Sequence, residues 1–147
     1  MSRSDFWLSH RLRVRFNEVD RQGIAHNSVH LVYFGVGLNE YFRQLDYDRF
    51  AADEEHGTGM HVVQASVGYR APIRLDEEID VLARIARIGR TSMTFAYEIY
   101  RAGTDELLAT GEQVWVNTHR ETHTAQPWPE AFRRVVRARE PSLLEPA

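Results

Sequence analysis

The chain has 147 residues, 43% hydrophobic and 27% charged, a size and mixture that suit one domain with a substantial core and do not fit a disordered segment. Its net charge of −3, with no block of basic residues, argues against nucleic acid as the main partner, because phosphate binding needs concentrated positive charge. Cysteine is absent, which excludes disulfides, thiolate catalysis and cysteine-ligated zinc.

The first residues, Met1 to Trp7, lack the apolar core of a signal peptide, and no stretch has the apolar length that spans a bilayer. A soluble, cytoplasmic protein is expected. His10 to Phe16 alternates, with Leu12, Val14 and Phe16 on one face and Arg11, Arg13 and Arg15 on the other, the pattern of a half-buried strand. A turn at Arg21-Gln22-Gly23 follows. From Ser28 to Leu45 the spacing is helical. Leu31, Phe34, Leu38, Phe42 and Leu45 form one stripe, and Val29, Val32, Tyr33 and Val36 widen it almost around the first turns, which predicts a buried helix. Gly35 and Gly37 each cost about 1 kcal/mol in helix propensity relative to alanine. They point either to close approach of a backbone or bulky group, or to a tolerated defect. The charged run Asp46 to Glu55 predicts a short helix or loop, ended by Gly57 and Gly59.

The second half alternates repeatedly: Val63 to Tyr69, Ile79 to Ile85, Met93 to Ile99 and Leu108 to Val116 read as four strands. Pro129 to Arg139 predicts a short helix with Phe132, Val135 and Val136 inward, and Pro141 and Pro146 mark 140–147 as a loosely held tail. The whole is expected to be a single domain, 1–147, with its core over about 10–139. The order predicts an α+β architecture, a curved antiparallel sheet wrapped around a long central helix. The open edges of such a sheet invite homo-oligomerisation.

The most informative stretch runs from Asp20 to Asn27. It sets a carboxylate just past a strand, a glycine at a turn, and a helix start seven residues after the carboxylate. Beside free helix N–H groups, a carboxylate can attack a carbonyl or direct water onto it while those groups hold the oxyanion. The alternative is that Asp20 serves a turn or cap. Glu18 falls on the same extended face, and two close carboxylates would raise one pKa, but a solvated Glu18 is favoured. His26 and His30, like His119 and His123, have the i, i+4 spacing of a metal pair, yet neither pair has a third ligand, so no metal is expected. His30 reads instead as a hydrogen-bonded core or pocket residue.

In four segments the chain resembles the hot-dog-fold acyl-CoA thioesterases of the 4-hydroxybenzoyl-CoA type. These are the strand and turn from Arg13 through Asp20 and Gly23 to Ile24; the helix Asn27 to Arg43, with Tyr33-Phe34 and Tyr41-Phe42-Arg43; Val67-Gly68-Tyr69-Arg70-Ala71-Pro72-Ile73-Arg74-Leu75-Asp76-Glu77; and the hairpin Arg87-Ile88-Gly89-Arg90-Thr91-Ser92. The resemblance implies the hot-dog fold, Asp20 as the catalytic carboxylate, and the backbone N–H of Asn27 as the group that polarises the thioester carbonyl. Relatives bind the nucleotide end of coenzyme A near the hairpin, which suggests Arg90 and Ser92, with Gly23 and Tyr33 as further substrate-binding residues. Hot-dog hydratases separate their Asp and His by four residues; here five lie between Asp20 and His26, which disfavours a hydratase and leaves His26 a proton-relay role. Many relatives carry an acidic residue where this chain has Gly35.

The expected function is hydrolysis of an acyl-CoA by a homodimer or dimer of dimers. No metal or redox cofactor is needed, coenzyme A being part of the substrate, and neither nucleic acid nor membrane is a partner. The alternatives are a non-catalytic binder of acyl-CoA or small hydrophobic acids, and a hot-dog hydratase or dehydratase.

Overall fold

A computed structural model of the chain describes residues 2–146. The elements are β1 (Leu8–Arg13), α1 (Val29–Gln44), α2 (Arg49–His56), β2 (Thr58–Tyr69), β3 (Glu78–Ile88), β4 (Ser92–Arg101), β5 (Leu107–His119) and α3 (Glu130–Arg139). One curved antiparallel sheet runs in the order β1-β3-β4-β5-β2, and α1 packs across β3 with further contacts to β1 and β4. Register shifts at Val62/Gln64, Ile85/Arg87 and Ile99/Tyr100 mark the bulges that let the sheet bend around the helix.

The depth at which α1 sits is set by small residues facing large ones. A Cβ at Gly37 would lie 2.9 Å from Val81 Cγ1 on β3, so this glycine permits a close helix–sheet approach. Across the layer, a Cβ at Gly111 on β5 would run into the Phe34 ring and lie 3.0 Å from the Ser66 carbonyl oxygen. Phe34 is fully buried and stacks on Tyr97 of β4, with centroids 4.6 Å apart. Further along the helix, Tyr41 meets Phe95 edge-on at 5.1 Å. Each such buried side chain contributes roughly 1.5–3 kcal/mol from removed apolar surface. Gly35, by contrast, has open space around its Cβ position.

Several expectations are corrected. Phe16 is 80% exposed rather than inward, because β1 ends at Arg13 and a 3-10 turn over Phe16–Glu18 redirects the chain. The inward face of this segment is carried by Leu8 and Val14 instead. The helix is not buried on every side: Leu31 and Val32 are exposed. The alternation in β2 does not produce a buried face; Val62 and Val63 are exposed, since α1 packs chiefly on β3, β1 and β4. The charged run becomes α2, where the Asp48 side chain accepts from Ala51 N (3.0 Å) and Gly57 closes the helix in the left-handed region.

The segment after Arg139 is docked rather than loose. Glu140 is buried, and its Oε2 accepts from the Tyr41 hydroxyl (2.7 Å), the Ile85 N–H (2.9 Å) and the Trp7 indole N–H (3.1 Å). Leu144 exchanges backbone hydrogen bonds with Ala86 and Ile88, and Glu145 pairs with Arg133 and Arg137. Two buried donors and one half-buried donor share this acceptor, and proline spacing says nothing of that demand.

If the Phe34–Gly111 contact sets helix depth, Gly111→Ala should destabilise the fold by about 1–3 kcal/mol through overpacking. Gly35→Ala should be neutral or slightly stabilising, since alanine is the better helix former. Chemical denaturation of the two variants checks this, and equal stabilities would remove the packing argument.

Candidate active site

The loop that follows the 3-10 turn is built by its own backbone. Asp20 N donates to the Ile24 carbonyl (2.8 Å) and Gly23 N to the Asp20 carbonyl (3.0 Å), a tight reversal that holds Gly23 at φ 75, where a side chain would be strained. Asp20 Oδ1 accepts from Gln22 N (2.8 Å) and Ile24 N (3.4 Å), so the turn role is present. Neither a salt bridge nor a partner for Oδ2 occurs among the described residues. The Val19–Ala25 bridge closes the loop on itself, the Ile24–Arg74 bridge ties it to the β2–β3 connection, and Ala25 N donates to the Ile73 carbonyl (2.7 Å).

This arrangement delivers the chain to the start of α1. His26 N donates to the Glu18 carbonyl (2.9 Å) and Val29 N to the His26 carbonyl (2.9 Å). The Asn27 N–H has no acceptor among the described residues, and unpaired N–H groups at a helix start carry partial positive charge. The Asn27 carbonyl accepts from the Tyr69 hydroxyl (2.8 Å), which pins the first turn to the end of β2. Asp20, His26, Asn27, His30 and Tyr69 share one cleft of about 440 Å³, whose far wall is 70–73. By alternation Tyr69 is one more strand residue; in the structure it is 55% exposed and clamps Asn27.

Of the other candidates, only His26 shares this cleft. His26 is exposed, and its Nδ1 lies 2.8 Å from Ser28 Oγ and accepts from Ser28 N (3.2 Å), leaving Nε2 as the nitrogen with a proton to exchange. Gly23 shapes the loop but is not among the lining residues of the cleft. Tyr33 is buried, lines a separate cleft of about 210 Å³ with Leu12, Val32 and Val36, and donates its hydroxyl to Glu18 Oε1 (3.1 Å). Arg90 and Ser92 sit at the β3–β4 hairpin, where their carbonyls accept from Trp128, and neither lines the Asp20 cleft.

Glu18 is neither solvated nor paired with Asp20. It is 7% exposed and accepts from Arg15 N (2.8 Å), the Arg15 guanidinium (2.7 and 2.9 Å) and Tyr33. Burial pushes its pKa up, but the Arg15 backbone and guanidinium donors and the Tyr33 hydroxyl outweigh that and hold it below the usual glutamate value. Burial pushes the Tyr33 hydroxyl up, and the Glu18 charge adds to the effect. The sequence signal for this lay in the Arg15–Glu18 spacing, which suits a 3-10 turn closed by its own side chains.

With the geometry established, likeness to known proteins is informative. The model of the thioesterase-like superfamily matches residues 14–136, and the chain belongs to that superfamily. A Thermus thermophilus thioesterase crystallised with coenzyme A and Zn is 30% identical, with a TM-score of 0.78 over 93% of this chain and 96% of that one. A Synechocystis 1,4-dihydroxy-2-naphthoyl-CoA thioesterase, Slr0204, has a TM-score of 0.80 over 88% of this chain and 94% of its own, but at 16% identity the likeness is one of fold. The Bacillus subtilis protein YneP, whose name offers an acyl-CoA thioesterase activity provisionally, is 26% identical over 72% of this chain and 77% of its own. Among the described residues no helix is long and apolar enough to cross a membrane.

The Glu18 environment has a pH signature. A carboxylate whose folded pKa is depressed contributes stability that is present above its unfolded pKa and lost as pH falls through the folded one. Glu18→Gln should therefore cost about 1.5–3 kcal/mol near neutral pH, the range for hydrogen bonds to a charged group. The difference from wild type should shrink toward zero in acid, below the folded pKa. Denaturant titrations at the two pH values check this; a pH-independent difference would show that the charge on Glu18 is irrelevant.

Proposed function

We propose that this member of the thioesterase-like superfamily hydrolyses an acyl-CoA to the free acid and coenzyme A. The observation that carries the reading is the shared cleft of Asp20 and the Asn27 N–H at the start of α1. The coenzyme A held by the Thermus relative supports the choice of thioester.

In this reading the thioester carbonyl oxygen lies against the Asn27 N–H, and the helix N-terminus holds the oxyanion of the tetrahedral intermediate. One such donor in a dry site is worth roughly 3 kcal/mol of barrier. Asp20 acts through the oxygen its loop leaves free. It either takes a proton from water as that water adds to the carbonyl carbon, or attacks the carbon itself. In the second route the coenzyme A thiolate leaves and water cleaves the resulting anhydride. His26, exposed at the rim, relays a proton through Nε2. Arg90 and Ser92, outside the Asp20 cleft, are assigned to the nucleotide end of coenzyme A rather than to the thioester. No metal or redox group enters this chemistry. The unpaired β2 edge supports a homodimer or dimer of dimers.

The test is thiol release from a panel of short, long, aromatic and polar acyl-CoAs. Asp20→Asn should lower kcat by about 10²–10⁴-fold, the range for loss of a positioned base, without changing the unfolding curve. Asn27→Ala should stay within about tenfold of wild type, because the donor is main chain. Near-normal hydrolysis in Asp20→Asn would sink the mechanism. Binding of acyl-CoA without thiol release would replace the enzyme by a carrier.

A further inference from the structure

The two ends of α1, a helix of 16 residues, lie about 24 Å apart. Asp20 and Asn27 occupy one end; at the other, a cleft of about 530 Å³ opens between α1 and α2. Arg49, the first residue of α2, forms part of its wall. The Arg49 side chain is only 18% exposed, and its guanidinium lies over the Phe42 ring at 4.9 Å and the Phe50 ring at 4.8 Å. Its ionic neighbour is Asp53, 3.5 Å away, and among the described residues none of its side-chain N–H groups makes a hydrogen bond. Nε is sealed from solvent, but the two terminal nitrogens are not.

Three costs fall on this residue. A cation at a helix N-terminus opposes the partial positive charge already there. Burial pushes the guanidinium pKa down, and the Asp53 charge returns only part of that. Its donors also lack acceptors, whereas Arg11 and Arg15 each place two hydrogen bonds on a carboxylate. Such breaches of local rules are kept at functional sites.

The rings cover the faces of the guanidinium, and its donors radiate from the edge, so a ligand meets it in plane, as a carboxylate or phosphate does. Two features choose between these. Arg43, the other cation of the cleft, is paired with Glu40, and Asp48 also stands in the lining, so the available charge matches a singly charged anion. Leu45, Tyr47 and Phe50 line the same cleft, and Phe50 is 71% exposed, which gives an apolar body a surface to lie on.

We propose that this cleft binds the carboxylate of a small hydrophobic acid, with the terminal nitrogens of Arg49 on the carboxylate oxygens and the apolar body against Phe50. The site is separate from the Asp20 cleft and does not depend on the thioesterase reading; the acid which that reading releases belongs to the same class of ligand.

The probes are benzoate, its uncharged isostere benzamide, and inorganic phosphate, titrated into the wild-type chain and followed by calorimetry and by backbone amide NMR shifts. Benzoate should bind saturably and move the Phe50 and Ala51 amides but not that of Gly23. Benzamide should bind about tenfold more weakly or worse, having lost the charge-assisted pair. Arg49→Gln should weaken benzoate by about tenfold or more and leave benzamide near its wild-type value. No saturable benzoate binding would overturn the proposal, as would shifts centred on Gly23, equal affinities for benzoate and benzamide, tighter binding of phosphate, or benzoate affinity that survives in Arg49→Gln. The benzamide comparison needs only the wild-type chain, so it decides the matter even where Arg49→Gln fails to fold. None of these readouts involves thiol release, so they stand whatever the acyl-CoA assay returns.

Discussion

The depth of α1 in the curve of the sheet is the constraint on which the rest depends. Phe34 fills the space that Gly111 leaves empty, and Gly37 lets the helix close on Val81. These contacts fix the helix along its axis and about it. They therefore fix where its first turn emerges, and with it the Asn27 N–H. Rigid packing of this kind matters for a site made of backbone, because a main-chain donor cannot adjust by changing rotamer. Tyr69 supplies the second restraint, tying the Asn27 carbonyl to the end of β2. The wall formed by 70–73 continues from that strand and is tied to the Asp20 loop as well, by the Ala25 N–H on the Ile73 carbonyl and the Ile24–Arg74 bridge.

Much of this is legible in the sequence, and the departures have physical causes. The strands, α1 and α3 follow from apolar periodicity, because each element has one face against a common core. Phe16 leaves its expected face because alternation does not reveal where a strand stops; the Arg15–Glu18 closure stops it. Val63, Ala65, Val67 and Tyr69 alternate in β2, but α1 packs chiefly on β3, β1 and β4, so periodicity is present with little burial. The C-terminal segment reads as free because its anchor, Glu140, is a charged residue that is buried only through three donors remote in sequence. At the site, the turn at Gly23 and the helix start are readable from local chemistry, and the role suggested for Asp20 comes from resemblance. Tyr69 escapes such reading because a tyrosine at the end of a strand carries no sign that its hydroxyl reaches a helix start 42 residues earlier.

The two acids near the end of the first strand show how environment divides labour between similar groups. Glu18 is surrounded by donors: an arginine on one side and a tyrosine hydroxyl on the other use its oxygens and hold it ionised as part of the structure. Its burial in a second cleft, beneath Tyr33, takes it out of reach of the Asn27 N–H. Asp20, two residues on, is exposed and faces a different cavity because the 3-10 turn breaks the extended geometry that would have placed both on one face.

Asp20 also shows that serving a turn and serving a reaction are compatible. A carboxylate offers about four lone-pair positions on two oxygens. The loop takes two hydrogen bonds at Oδ1, from Gln22 and Ile24, and these fix the side chain's orientation at no cost to the other oxygen. A base or nucleophile gains from that arrangement: the held oxygen removes rotational freedom that would otherwise have to be lost on the way to the transition state, while the other oxygen stays open to water or substrate. The turn that makes Asp20 look ordinary in the sequence is then the device that aims it.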